Sequence, residues 1–107
     1  MSSHRTVHGL RRLADSYERD GAVCVPDLVA APLLARVTAA IDDNLQHPSP
    51  LAQVAGTADD PGHFVEDFCN WPRFPAYVEL ARAVAPVVQA LLGSRSVRLY
   101  HDHLLVK

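Results

Sequence analysis

The last twelve residues constrain the fold more than any other stretch, because SVRLYHDHLLVK reads as one long β-strand. Successive side chains of a strand point to opposite faces, so alternate positions share a face. One face would carry His101, His103 and Lys107, and Asp102 would point to the other. Both faces are largely apolar toward the end, which predicts a strand that is buried on two sides.

This strand reaches Lys107 with no turn or partner strand after it. An apolar strand with an unpaired edge promotes aggregation, so a second neighbour is expected. We therefore expect residues 1–107 to form a single partial domain, the N-terminal part of a larger α+β fold.

The composition is typical of a globular protein. Apolar residues make up 49% of the chain and charged residues 21%, which excludes a disordered segment. A net charge of −2 without any basic run gives no support for nucleic acid or a membrane as a partner. The sequence contains no apolar stretch that could cross a bilayer or serve as a secretory signal. Together with two isolated cysteines, this predicts a cytoplasmic protein.

Spacing of apolar residues predicts three helices, at residues 6–20, 32–46 and 75–92. β-branched and alternating apolar residues predict two strands, at residues 22–25 and 96–106. Gly21 and Gly93 are expected to end the helices before them, since glycine adopts the left-handed conformation of many C-caps. Pro86 predicts a break in the third helix near Ala85.

The remaining stretches lack a regular period. Residues 47–63 contain three prolines and two glycines and predict a long loop. Residues 64–71 are rich in aromatics and are interpreted as a hinge, with Trp71 as its anchor in the core. Cys24 is expected to be a small core residue.

His101 and His103 form the densest cluster of chemically capable groups. Two imidazoles on one strand face can converge on a metal ion, but they need a third ligand and Asp102 points away. Alternatively, they are hydrogen-bonded residues of a cavity wall. The adjacent carboxylates Glu66 and Asp67 are expected to be solvated rather than a catalytic pair. The residues alone reveal no complete active site.

Three stretches resemble the N-terminal part of the phytanoyl-CoA dioxygenase family: YERDGAVCVPDLV, FVEDFCNWPRFPAY and ALLGSRSVRLYHDHLLVK. The resemblance runs from about Leu13 to Lys107. It implies a non-haem iron(II), 2-oxoglutarate-dependent oxygenase built on a double-stranded β-helix, a jelly-roll barrel. The chain would supply the helical wall and the first strands of that fold, with the barrel incomplete.

The resemblance also implies an iron site made of a His-x-Asp motif and a distant histidine. No histidine of this chain has an acidic residue two positions later, so neither iron ligands nor catalytic residues are expected within it. By resemblance, His103 would face the 2-oxoglutarate pocket, His101 would lie beside it, and Lys107 would line the pocket mouth. Iron(II) and 2-oxoglutarate are thus cofactors implied for the complete enzyme.

Three interpretations follow. The chain is the N-terminal fragment of such an oxygenase, inactive alone, whose partners would be a small-molecule substrate and a complementing C-terminal segment. Alternatively, it is a small non-catalytic α+β binding module, or a metal-binding protein that uses His101 and His103. The abrupt end of an apolar strand favours the first interpretation.

Overall fold

The computed structural model describes the backbone of residues 3–107 and the side chains of residues 9–107. Its elements, in chain order, are α1 (Ser3–Asp20), α2 (Ala31–Gln46), β1 (Gln53–Ala55), β2 (Phe64–Phe68), α3 (Pro75–Leu92) and β3 (His103–Val106). The strands form one antiparallel sheet in the order β1-β2-β3. The predicted α+β class is therefore confirmed.

The three helices lie close to their predicted positions, and α3 contacts both α1 and α2. Gly21 has a φ of 75° and its N–H donates to the Tyr17 carbonyl at 2.8 Å. Gly93 has a φ of 61° and its N–H donates to the Ala90 carbonyl at 3.2 Å. Both glycines end their helices, as the sequence predicts, because their conformation is strained for any residue with a Cβ atom.

The predicted break at Ala85 is wrong, because α3 runs unbroken through Pro86. Proline removes one helical N–H and leaves the carbonyl four residues earlier, that of Arg82, without its partner. Pro86 is exposed, so water can bond that carbonyl. The packing of α3 against two other helices then holds the helix together.

The predicted strand at residues 22–25 is not formed. These residues are an irregular connection between α1 and α2, since no other strand of the described sheet lies beside them. Cys24 is exposed and is therefore not a core residue. β-propensity alone does not make a strand without a hydrogen-bonding neighbour.

The final strand is shorter than predicted and is buried on only one side. β2 ends at Phe68, and the left-handed conformation of Cys69, with a φ of 59°, turns the chain away from the sheet. Residues 96–102 therefore have little of β2 to pair with, and only β3 joins the ladder. Leu104 and Val106 are half-buried, whereas His103 and Leu105 are exposed.

Two other predicted features also need correction. The stretch of residues 47–63 is not a loop throughout, because it contains β1, and most of the predicted hinge forms β2. Trp71 is 43% exposed and does not anchor the core. Phe74, three residues later, is the buried aromatic, and its ring lies against Tyr77 with 5.3 Å between centroids.

The buried core is small and partly polar. Leu33 and Val37 of α2 are buried together with Phe74, and the buried face of the helix continues to a polar residue, Asn44. Asp67 of β2 is also buried. No helix in the part of the chain that the structure describes is long and apolar enough to cross a membrane.

Candidate functional site

The sheet has one face turned toward α2, where Asp67 bonds Asn44, and one face directed away from the helices. We call the second the outer face, and it is formed by Phe64, Glu66, Phe68, His103 and Leu105, extended by His101 and Lys107. Side chains of the other face, including Val65 and Leu104, line a cavity with Asn44 of α2. The outer face thus carries all three residues that the resemblance assigns to the cosubstrate pocket.

His103 is held in one orientation by two residues of β2. Its ring stacks on Phe68, its cross-strand partner, with 4.2 Å between ring centroids and 28° between the planes. Its Nε2 lies 3.1 Å from Oε2 of Glu66. Since an ionised carboxylate can only accept, Nε2–H donates this bond, and Nδ1 carries the lone pair of the neutral ring.

His101 lies beside this pair on the same face. Its Nδ1 lies 3.1 Å from the carbonyl oxygen of Asp102, so Nδ1–H donates and Nε2 is left for a ligand. The ring meets the edge of Phe68 at a centroid distance of 6.2 Å. Each imidazole therefore has one ring nitrogen that forms no hydrogen bond with the described part of the chain.

Lys107 follows on the same face and is exposed. It forms no salt bridge with the described part of the chain, so its ammonium group is available to an anion. The outer face thus carries one ammonium group that can donate to a carboxylate, and two free ring nitrogens that can donate only when the imidazole is protonated.

Asp102 points to the helix-facing side, as its position between the histidines predicts. Its carboxylate accepts the backbone N–H of Asn70 at 2.9 Å and of Trp71 at 2.7 Å. The carbonyl of Asp102 accepts the N–H of Cys69 at 3.1 Å. The hydrogen bonds of Asp102 connect the turn after β2 to the start of β3, and they fix the position of the histidines on either side of Asp102.

A buried carboxylate, Asp67, was missed by the sequence analysis, which expects it to be solvated. It is 2% exposed and accepts hydrogen bonds from Asn44 Nδ2 at 3.1 Å, from the backbone N–H and the hydroxyl of Ser49, and from the N–H of Phe68. Burial raises the pKa of this carboxyl, but the hydrogen bonds from Ser49 and Phe68 outweigh that effect and hold its pKa well below the usual range. Every acceptor position is used, so Asp67 holds the fold rather than a ligand.

The tyrosine next to this network is also affected by it. Tyr77 donates its hydroxyl to Asn44 Oδ1 at 3.3 Å. Burial, followed by the negative charges of Asp102 and Asp67, raises the pKa of Tyr77. The phenol therefore stays protonated and keeps the donor role that Asn44 needs.

The implied iron site does not fit the residues of this chain. Within the described residues, no group of three His, Cys, Asp or Glu side chains lies close enough to hold a metal ion. His101 and His103 therefore have no third donor beside them in that part of the chain. Glu66, the nearest carboxylate to His103, is already its hydrogen-bond partner.

The sequence was compared with known protein families and with curated proteins, and the structure with solved structures. None of these comparisons found a match. The case for a function therefore depends on the residues and the geometry described above.

Proposed function

We propose that this chain forms the helix-backed side of an iron(II)- and 2-oxoglutarate-dependent oxygenase of the phytanoyl-CoA dioxygenase family. In this proposal, the outer face is the wall of the cosubstrate pocket in a jelly-roll barrel. The observation that carries it is the location of both imidazoles on an open sheet face, while the opposite face is turned toward α2 and joined to it by the bond between Asn44 and Asp67. A sheet that forms one wall of a two-layered β-structure needs one open face, because the second sheet packs on that face.

The proposed ligand is a dianion, and the outer face offers it the two imidazoles, which lie two residues apart, and the Lys107 ammonium, which lies four residues beyond His103. Once protonated, His101 can donate from Nε2 and His103 from Nδ1. The Lys107 ammonium can pair with a carboxylate directly. Phe68 stacks on the His103 ring and meets the His101 ring at an angle of 65°, and these contacts limit the orientations of both rings before a ligand arrives.

Iron is not held by these 107 residues in the proposal, since none of their histidines begins a His-x-Asp motif. The chain is then a partial domain that binds but does not oxidise. A complementing segment would have to supply the iron ligands, and the complete enzyme would act on a small-molecule substrate. A cytoplasmic location is part of the proposal and is supported by the unpaired thiols Cys24 and Cys69.

A titration of the isolated chain with 2-oxoglutarate tests the proposal. We expect NMR shifts of the His101 and His103 imidazole signals that saturate at millimolar ligand, about −4 kcal/mol of binding free energy. His103→Ala should weaken binding several-fold. His47→Ala is the matched control, because His47 is exposed and bonds Asp43 at the end of α2. Shifts confined to His47, or none, would count against the proposal.

The double variant His101→Ala, His103→Ala separates this function from that of a metal-binding protein. A metal site requires donors at about 2.0–2.2 Å from one ion. If the parent chain binds one zinc or iron(II) ion tightly and the double variant does not, the metal-binding alternative is correct. If the parent shows no tight site, the pocket-wall role stands.

A further inference from the structure

We propose that the free edge of β3 and an apolar groove beside it together accept an extended peptide strand from a different protein. This inference does not depend on the oxygenase proposal, because the edge and the groove would serve a non-catalytic module equally well. Two separate features of the structure support it, one in the backbone and one in the side chains.

The backbone feature is a row of unused hydrogen-bonding groups. Because the N–H of Cys69 bonds the Asp102 carbonyl, Asp102 and alternate residues after it face β2. His103 and Leu105 therefore direct their N–H and C=O groups to the opposite side. No strand of the described sheet lies there, since β3 is its last member. The edge is ready to pair with another strand.

The side-chain feature is a groove that extends along α3 past this edge. One part has a volume of about 290 Å³ and is lined mainly by apolar residues of α2 and α3, with Leu99 and Leu104 beside them. A second part, of about 400 Å³, shares Ala81, Val84 and Leu99 with the first. The helices thus present apolar surface beyond the width of the sheet. An added strand would cover that surface with every second side chain.

Charge favours one end of the peptide over the other. Arg82 and Arg98 line the second part of the groove, are exposed, and form no salt bridge within the described part of the chain. A strand antiparallel to β3 would have its C-terminal end there. A partner that pairs with β3 and continues beside the irregular residues 98–102 would need about eight residues, roughly 23 Å at about 3.3 Å per residue. The partner is therefore a segment of about eight residues with alternating apolar side chains and an acidic residue near its C-terminus.

The probe is the peptide acetyl-TVTVTVTE-amide, in two singly modified forms. Residues directly opposite His103 and Leu105 share the outer face with them and exchange both hydrogen bonds. These are the threonines, and the valines enter the groove. N-methylation of a central valine should leave the dissociation constant within about twofold of that of the unmodified peptide. N-methylation of a central threonine should weaken binding at least tenfold. Equal effects of the two methyl groups would overturn the proposal.

Variants of the protein give an independent readout by fluorescence anisotropy of the labelled peptide. Leu105→Pro removes an edge N–H that β2 does not use, and it should weaken binding about tenfold. Val54→Pro is the matched control on the free edge of β1. The backbone N–H and C=O of Val54 point away from β2, because the residues on either side of it pair with Glu66 and Phe64. It should have no effect on peptide binding.

Arg98→Glu in the protein should weaken peptide binding, and a peptide with Lys in place of its C-terminal Glu should restore it. Self-association of the chain that Leu105→Pro abolishes, without peptide binding, would assign the edge to a second copy and contradict the proposal.

Discussion

The Asn44 amide donates to the Asp67 carboxylate at 3.1 Å, and this bond joins the last turn of α2 to the C-terminal part of β2. Both side chains are almost completely buried, at 1% and 2% exposure. A helix and a sheet in this protein are therefore joined by a polar contact where an apolar one is more usual. The contact places the sheet on the helical layer and leaves the outer face open.

Asp67→Asn should lower the free energy of unfolding by about 3 kcal/mol. The amide nitrogen would face donors from Asn44, Ser49 and Phe68, so at least one buried donor loses its acceptor. Urea unfolding followed by circular dichroism measures the change. Asp59→Asn, at an exposed loop position, is the control and should stay within about 0.5 kcal/mol of the parent. A loss no larger than that of the control would remove the structural role assigned to Asp67.

The pH dependence of stability has a defined sign for the same group. The folded-state pKa of Asp67 lies below its unfolded value of about 3.9. Its contribution is therefore complete above that value and is lost as the pH falls toward the folded-state pKa. Urea unfolding should show a decline below about pH 5 that is shallower in Asp67→Asn. Parallel acid slopes in the two proteins are the result that this account does not allow.

Pro86→Ala should raise the free energy of unfolding by about 2 kcal/mol, because alanine restores a helical N–H inside α3. Ala83→Gly, at an exposed position of the same helix, calibrates the measurement and should lower stability by about 1 kcal/mol. If Pro86→Ala leaves the urea midpoint unchanged or lowers it, α3 is not continuous in solution.

We expect the isolated chain to release no succinate from 2-oxoglutarate when iron(II) is added. Without a His-x-Asp motif it has no two-His, one-carboxylate face to hold the metal. Chromatography of the reaction mixture against a protein-free control with the same iron measures the product. Iron-dependent formation of succinate above that control would contradict the claim that the chain is inactive alone.

Features that depend on local chemistry could be predicted from the sequence. Gly21 and Gly93 end helices because the left-handed backbone conformation there is strained for residues with a Cβ atom. Asp102 and His103 point in opposite directions, as the alternation of an extended chain predicts. Such features need no knowledge of what lies nearby in space.

Features that depend on a partner could not be predicted. β1 is a strand only because it pairs with β2, and residues 22–25 are not a strand because they have no such neighbour. Glu66 and Asp67 are adjacent carboxylates, and only the packing of α2 decides which of them is buried. The donors that make burial of Asp67 possible come from residues about twenty positions away in the chain.

The dissociation constant of 2-oxoglutarate, measured by calorimetry on three proteins, tests the central claim most directly. The parent should bind at millimolar ligand, and Lys107→Met should bind at least about fivefold more weakly, because an ammonium on the outer face is removed. Arg98→Met also removes one cation, but from the side of the sheet that faces the helices, and should bind as the parent does. Equal weakening by the two substitutions, or no binding to the parent at about 10 mM ligand, would contradict the assignment of the outer face to the cosubstrate.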